Sequence, residues 1–77
     1  MITKEEAYEI AKANANGRIL DGICVDYKDS WAFPYATEGD TPFGDRIFIL
    51  KDDGLVVEND PAFNIELWIK SKSYEME

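Results

Sequence analysis

Residues 23–35 have the sequence ICVDYKDSWAFPY, in which two apolar alternations flank a short polar turn. From Ile23 to Tyr27 every second residue is apolar, which is the period of a half-buried β-strand. Aromatic residues repeat at the same period at positions 31, 33 and 35, so the stretch predicts a β-hairpin that turns at Asp29-Ser30. Pro34 has no N–H to donate, and we expect it at an edge or a bulge of the sheet.

A helix is predicted on the N-terminal side of this hairpin. Thr3 and Glu6 have the spacing of a capping box, in which each side chain accepts a hydrogen bond from the backbone N–H of the other residue. Asn16-Gly17 is a typical helix stop, so the prediction is a helix over about residues 4–15. A narrow apolar stripe follows the cap at helical spacing and comprises Ala7, Ile10 and Ala11.

A second hairpin is predicted on the C-terminal side. Residues 46–51 form a dense apolar run typical of a central strand, and Asp52-Asp53-Gly54 provides a tight turn before residues 55–58. Residues 37–45, between the two hairpins, are the longest irregular stretch and contain three helix and strand breakers, Gly39, Pro42 and Gly44.

A short helix closes the predicted fold, with Asn64 or Asp60 as its cap. Its packing face is predicted from the i, i+3, i+4 spacing of Ile65, Trp68 and Ile69. We expect the tail from Ser73 onward to fray.

These elements predict one α+β domain over residues 1–77, with an N-terminal helix packed on a four-stranded antiparallel meander sheet and a short C-terminal helix. A chain of 77 residues has room for a single domain, and a hydrophobic content of 45% can supply its core. We expect the helices to cover one face of the sheet and to leave the other face for a partner.

The sequence predicts a cytoplasmic protein. Cys24 is the only cysteine, so no disulfide can form within the chain. No basic and apolar leader is visible at the N-terminus, and the longest apolar run, from Ile47 to Leu50, is far too short to cross a membrane.

The charge is strongly acidic, with eight Lys and Arg against 16 Asp and Glu and no His, and the whole surplus of −8 follows the first helix. One interpretation is solubility, because a net charge keeps small domains apart. The other is electrostatic steering of a basic protein partner. Nucleic acid is not an expected partner, because phosphate binding needs a basic surface.

Catalytic and metal chemistry are not expected. Without His there is no Ser-His or Cys-His pair and no ordinary zinc ligand set, and the five glycines are scattered at turns instead of forming a phosphate loop. Cys24 fits a small buried filler better than a reactive thiol. The sequence therefore predicts a binding protein with no cofactor and no metal, and not an enzyme.

The acidic loop around Phe43 is the candidate binding segment. In one interpretation it is an ordinary polar loop whose Phe43 packs inward. In the other, the aromatic ring is an anchor for a protein partner and the surrounding acids provide steering and register. The predicted partner-binding residues are Asp29, Glu38, Asp40, Phe43 and Asp45.

The order of these features resembles the immunity protein 35 family and the related YrhB-like domain over nearly the whole chain. The segments that carry the resemblance are the opening MITKEEA helix, the WAFPY strand at residues 31–35, the Asp53-Gly54 turn and the closing IELWI helix at residues 65–69. The resemblance implies a bacterial protein that neutralises a cognate toxin by occluding it. The YrhB-like branch implies the alternative, a chaperone-like or accessory domain that binds unfolded or partner proteins. An open sheet edge would also permit a homodimer.

Overall fold

The chain folds as a helix, four strands, a second helix and a fifth strand in a computed structural model that describes residues 1–36, 46–58 and 63–76. The fold is therefore of the α+β class. The helices and strands are α1 (Lys4–Ala13), β1 (Ile23–Tyr27), β2 (Ser30–Pro34), β3 (Arg46–Leu50), β4 (Val56–Val57), α2 (Ile65–Lys70) and β5 (Lys72–Glu75).

The predicted capping box starts α1. The Thr3 hydroxyl accepts a hydrogen bond from the Glu6 N–H at 3.1 Å, and the Glu6 carboxylate accepts one from the Thr3 N–H at 3.1 Å. The helix ends at Ala13, two residues earlier than predicted. Asn16 and Gly17 then adopt φ values of 54° and 83°, a left-handed conformation that reverses the chain toward the sheet.

The sheet has the strand order β4-β3-β2-β1-β5, and every neighbouring pair is antiparallel. Both predicted hairpins are confirmed, as β1–β2 and β3–β4. The first turns at Lys28-Asp29, one residue earlier than predicted, because Ser30 already pairs with Tyr27. Pro34 lies where the ladder between β1 and β2 is interrupted: regular pairing stops at Val25 and Ala32, and an isolated bridge joins Leu20 to Tyr35. The missing N–H of proline therefore falls at a break in the hydrogen bonding.

The prediction of a frayed tail is wrong, because residues 72–75 form β5 and pair with β1. Tyr74 lies opposite Cys24, and the Met76 N–H donates to the Gly22 carbonyl at 2.7 Å. The sheet thus has five strands instead of the predicted four, since α2 carries the chain back across the sheet to its first strand.

The two helices lie on opposite faces of the sheet, which contradicts the prediction that they share one face. The physical reason is that β1 and β3 are apolar on both faces, so that each face must be covered. The α1 face buries Ala7, Tyr8, Ala11, Ala15, Cys24, Phe33, Tyr35, Ile47 and Ile49. The α2 face buries Val25, Tyr27, Ala32 and Phe48, against which Phe63, Leu67 and Trp68 pack.

Of the predicted packing face of α2, only Trp68 contacts the sheet, and Leu67 packs beside it. Asn64 is its cap, as expected, and accepts hydrogen bonds from the N–H groups of Glu66 and Leu67 at 3.0 and 3.2 Å. Leu67 and Trp68 contact the sheet, whereas Ile65 and Ile69 are 37% and 73% exposed. Six residues form fewer than two helical turns, and only one narrow side reaches the core.

Candidate functional site

A groove remains open on the α2 face of the sheet, at the end where the turns of both hairpins lie. Its volume is about 300 Å³. We call it the turn-end groove and define it by the residues that line it: Tyr27, Lys28, Asp29, Ser30, Phe48, Leu50 and Val57.

The floor of the turn-end groove is apolar and held in place by the core. Leu50 and Val57 are half-buried, and the rings of Tyr27 and Phe48 close its inner side, with 1% and 3% of their surfaces exposed. The ring centroids of Tyr27 and Phe48 are 5.6 Å apart, and Phe63 and Trp68 pack around the same pair. This packing holds the rings of Tyr27 and Phe48 in place.

The Tyr27 hydroxyl also connects this cluster to α2. It accepts a hydrogen bond from the Asn64 N–H at 2.9 Å, at the residue that caps the helix. A buried tyrosine hydroxyl needs such a partner. One side chain therefore supports both the groove and the helix beside it.

The rim of the groove is the turn between β1 and β2, which Lys51 holds in position. The Lys51 N–H donates to the Asp29 carbonyl at 2.8 Å, and the Lys51 ammonium donates to the Lys28 carbonyl at 2.9 Å. The same ammonium forms an ion pair with the Asp26 carboxylate and lies 4.5 Å from the Trp31 ring centroid. These contacts fix the backbone of the rim while the side chain of Asp29 remains exposed.

Of the five predicted partner-binding residues, Asp29 lies on the rim of the turn-end groove. The other four, Glu38, Asp40, Phe43 and Asp45, lie outside the described residues. Sequence reasoning missed the floor, because Leu50 and Val57 were predicted only as parts of strands. The available signal was the hairpin itself, which brings the end of the apolar run beside the Asp29 turn.

The acidic surplus is only partly covered by the described residues, and its meeting with a basic partner stays a prediction. Five of the 16 acidic residues, and none of the eight basic ones, fall outside the described ranges: Glu38, Asp40, Asp45, Asp60 and Glu77. Within those ranges, ion pairs join Lys4 to Glu5, Lys12 to Glu9 and Lys51 to Asp26. Near the groove, Asp29, Asp52 and Asp53 are exposed in the two turns.

No family model, no curated protein and no solved structure matches the chain. The resemblance to the immunity protein 35 family and the YrhB-like domain therefore stays a prediction, and the turn-end groove has to be judged by its own chemistry.

The groove is lined by apolar, hydroxyl and charged side chains. Among residues 1–36, 46–58 and 63–76, no three His, Cys, Asp or Glu side chains come together as metal ligands. Burial raises the pKa of the Cys24 thiol to about 12, which leaves it protonated and unreactive at neutral pH. In the same part of the chain, no helix combines the length and the apolar character that a membrane span requires.

The two edges of the sheet also present exposed backbone. At one edge β4 has two residues, and at the other β5 has four, with Ser73 and Glu75 directing their N–H and C=O groups away from β1. A homodimer through a sheet edge stays a prediction.

Proposed function

We propose that this protein is a small acidic binding protein of the immunity type, which neutralises a toxin domain by occluding it with the turn-end groove and the turns around it. The observation that carries the proposal is an apolar floor, formed by Leu50 and Val57, beside the exposed carboxylate of Asp29. Protein interfaces derive most of their affinity from a few well-packed apolar positions, while charges at the rim govern association rate and register.

The overall charge favours a basic partner. With a surplus of −8, the chain attracts cationic surfaces and repels nucleic acid. Asp29 places one carboxylate on the rim, and Asp52 and Asp53 add two exposed carboxylates in the turn between β3 and β4 at the same end of the sheet. A toxin domain with a basic active-site cleft, such as a nuclease, has the complementary charge.

The test is to mix the protein with the toxin domain encoded next to its gene and to measure both binding and toxin activity. We expect a stable complex and loss of activity. Leu50→Lys should weaken the complex mainly by faster dissociation, because it disrupts the floor. Asp29→Lys should slow association and reduce its dependence on salt.

Asp21→Lys is the matched control for Asp29→Lys, since Asp21 is equally an exposed acid but precedes β1 at the opposite end of the sheet. Equal effects of the two reversals would show that net charge alone matters. A toxin domain that neither binds nor loses activity would rule the proposal out.

A chaperone-like function is the second candidate, and the exposed Ile65 and Ile69 on the outer side of α2 favour it. Apolar side chains in solvent can hold apolar segments of unfolded clients. In that case the protein should suppress aggregation of several unrelated clients with little dependence on salt, and Ile69→Ser should weaken this effect while Leu50→Lys should not.

A further inference from the structure

The turn-end groove combines two features that a single long side chain can satisfy together. Leu50 and Val57 offer an apolar floor, and the Asp29 carboxylate stands in solvent at the rim. An arginine has an apolar stem and a charged head, and such side chains bury the stem while the head stays in water. A purely apolar side chain would fill the floor but leave Asp29 without a counter-charge.

The molecule already packs one arginine against the aromatic cluster next to the groove. The guanidinium carbon of Arg46 lies 4.3 Å from the Phe63 ring centroid and 4.6 Å from that of Trp68. Phe63 and Trp68 belong to the same aromatic cluster as Tyr27 and Phe48, which close the inner side of the groove. The planar guanidinium is weakly hydrated and packs well against rings.

We infer that the turn-end groove binds an arginine side chain of the protein partner, with its stem on Leu50 and Val57 and its guanidinium paired with the Asp29 carboxylate. This inference rests on the proposed function for the identity of the partner as a protein. A second copy of this chain is a poor occupant, because two molecules of charge −8 repel each other. Lys28, also on the rim, opposes the incoming cation and tunes its affinity.

Arginine is favoured over lysine by the shape of its head. The guanidinium can donate two parallel hydrogen bonds to one carboxylate, whereas the ammonium is a compact and strongly hydrated charge. The groove should therefore prefer arginine, with lysine second and an uncharged side chain of the same length last.

The experiment is a titration of the ¹⁵N-labelled protein, followed by NMR, with the capped tripeptide acetyl-Gly-Arg-Gly-amide. Two matched peptides replace the arginine by citrulline, which keeps the shape without the charge, or by norleucine, which keeps only an apolar stem. We expect the arginine peptide to shift the amide signals of residues 27–30, 50 and 57, and to bind about two- to fivefold more tightly than the citrulline peptide.

Three variants test the contribution of single charged residues to binding of the arginine peptide. Asp29→Asn should weaken binding of the arginine peptide by about two- to fivefold, Lys28→Ala should strengthen it by a similar factor, and Asp21→Asn should leave it unchanged. All three positions are exposed, and a dispersed spectrum of each variant shows that it has folded. Shifts that the norleucine peptide reproduces equally, or an arginine peptide that shifts no groove residue, would overturn the inference.

The titration needs no toxin, so its failure is separable from failure of the proposed function. If the protein inactivates the toxin domain but does not bind the arginine peptide, the proposed function stands and the arginine anchor is ruled out. If the protein binds the arginine peptide selectively but forms no complex with the toxin domain, the arginine anchor stands and the immunity function is ruled out.

Discussion

Lys51 joins three parts of the molecule through one ammonium group. It contacts the Asp26 carboxylate of β1, the Lys28 carbonyl of the adjacent turn and the Trp31 ring of β2, and its side chain is 16% exposed. A largely buried ammonium stabilises the fold when its N–H donors are satisfied. Its removal leaves the Asp26 carboxylate and the Lys28 carbonyl without a hydrogen-bond donor.

We therefore expect Lys51→Met, which keeps the apolar stem, to lower the free energy of unfolding by about 1–3 kcal/mol. Lys70→Met is the control, because Lys70 is exposed on α2, and its effect should stay within about 0.5 kcal/mol. Urea denaturation of the two variants measures the difference. Equal stability of both would mean that the Lys51 contacts contribute nothing to the fold.

Cys24 makes stability depend on alkaline pH. Burial, and next the nearby negative charge of Asp26, raise the pKa of its thiol to about 12 in the folded chain, whereas an unfolded cysteine titrates near roughly 8.5. Because the folded pKa is the higher one, the stabilisation is complete below about 8.5 and is lost as the pH rises from there toward 12. Unfolding free energies at pH 7, 8.5 and 10 should fall more steeply for the wild type than for Cys24→Ala. Parallel curves for the two proteins would contradict this.

At the scale of single elements, β5 is the strand whose hydrogen bonds can be tested most directly. The Met76 N–H donates to the Gly22 carbonyl, one residue before β1. Because N–H directions alternate along a strand, the Tyr74 N–H faces β1 and the Ser73 N–H faces away. The variant Tyr74→Ala measures the effect of losing the ring alone. After that effect is subtracted, Tyr74→Pro should lower the free energy of unfolding by about 1–3 kcal/mol more than Ser73→Pro. Amide exchange at Cys24 should accelerate only in Tyr74→Pro. Equal costs for the two prolines would mean that β5 does not pair as described.

Local signals explain which elements the sequence could predict. The capping box at Thr3 and Glu6 and the Asp53-Gly54 turn are each complete within a few residues, and both are where they were expected. The strand β5 could not be predicted in this way, since Lys72-Ser73-Tyr74-Glu75 has no strong alternation and gains its structure from β1, roughly 50 residues earlier. For the same reason the sequence did not predict that α2 covers the second face of the sheet, because no local pattern indicates where α2 packs.

The candidate site also has one part that local sequence could predict and one part that it could not. Asp29 could be singled out because a charged residue in a two-residue turn has to be exposed. The floor beneath it depends on β3 and β4 lying beside that turn and on α2 stopping short of it, which is a property of the assembled sheet.

The whole molecule should respond to salt through its net charge. Its largest dimension is 35 Å, so at an ionic strength of about 0.01 M, where the Debye length is roughly 30 Å, charges interact across the whole molecule. The acidic surplus of −8 makes the net interaction repulsive. Raising the ionic strength to about 1 M should increase the unfolding midpoint, and Asp52→Asn, which removes one exposed acid, should reduce the size of that increase. A midpoint that falls with added salt would mean that the ion pairs outweigh the repulsion.

The position of β5 at the edge of β1 sets an order of events during synthesis. On a translating ribosome β1 emerges early, but its edge partner is made only after the rest of the sheet and α2. Roughly 50 residues separate the end of β1 from the end of β5, so at about 5–20 residues per second the nascent chain carries an uncovered strand for about 3–10 s. The sheet is therefore completed only after translation has passed Glu75, and until then the nascent β1 is exposed to whatever else in the cell can pair with a strand.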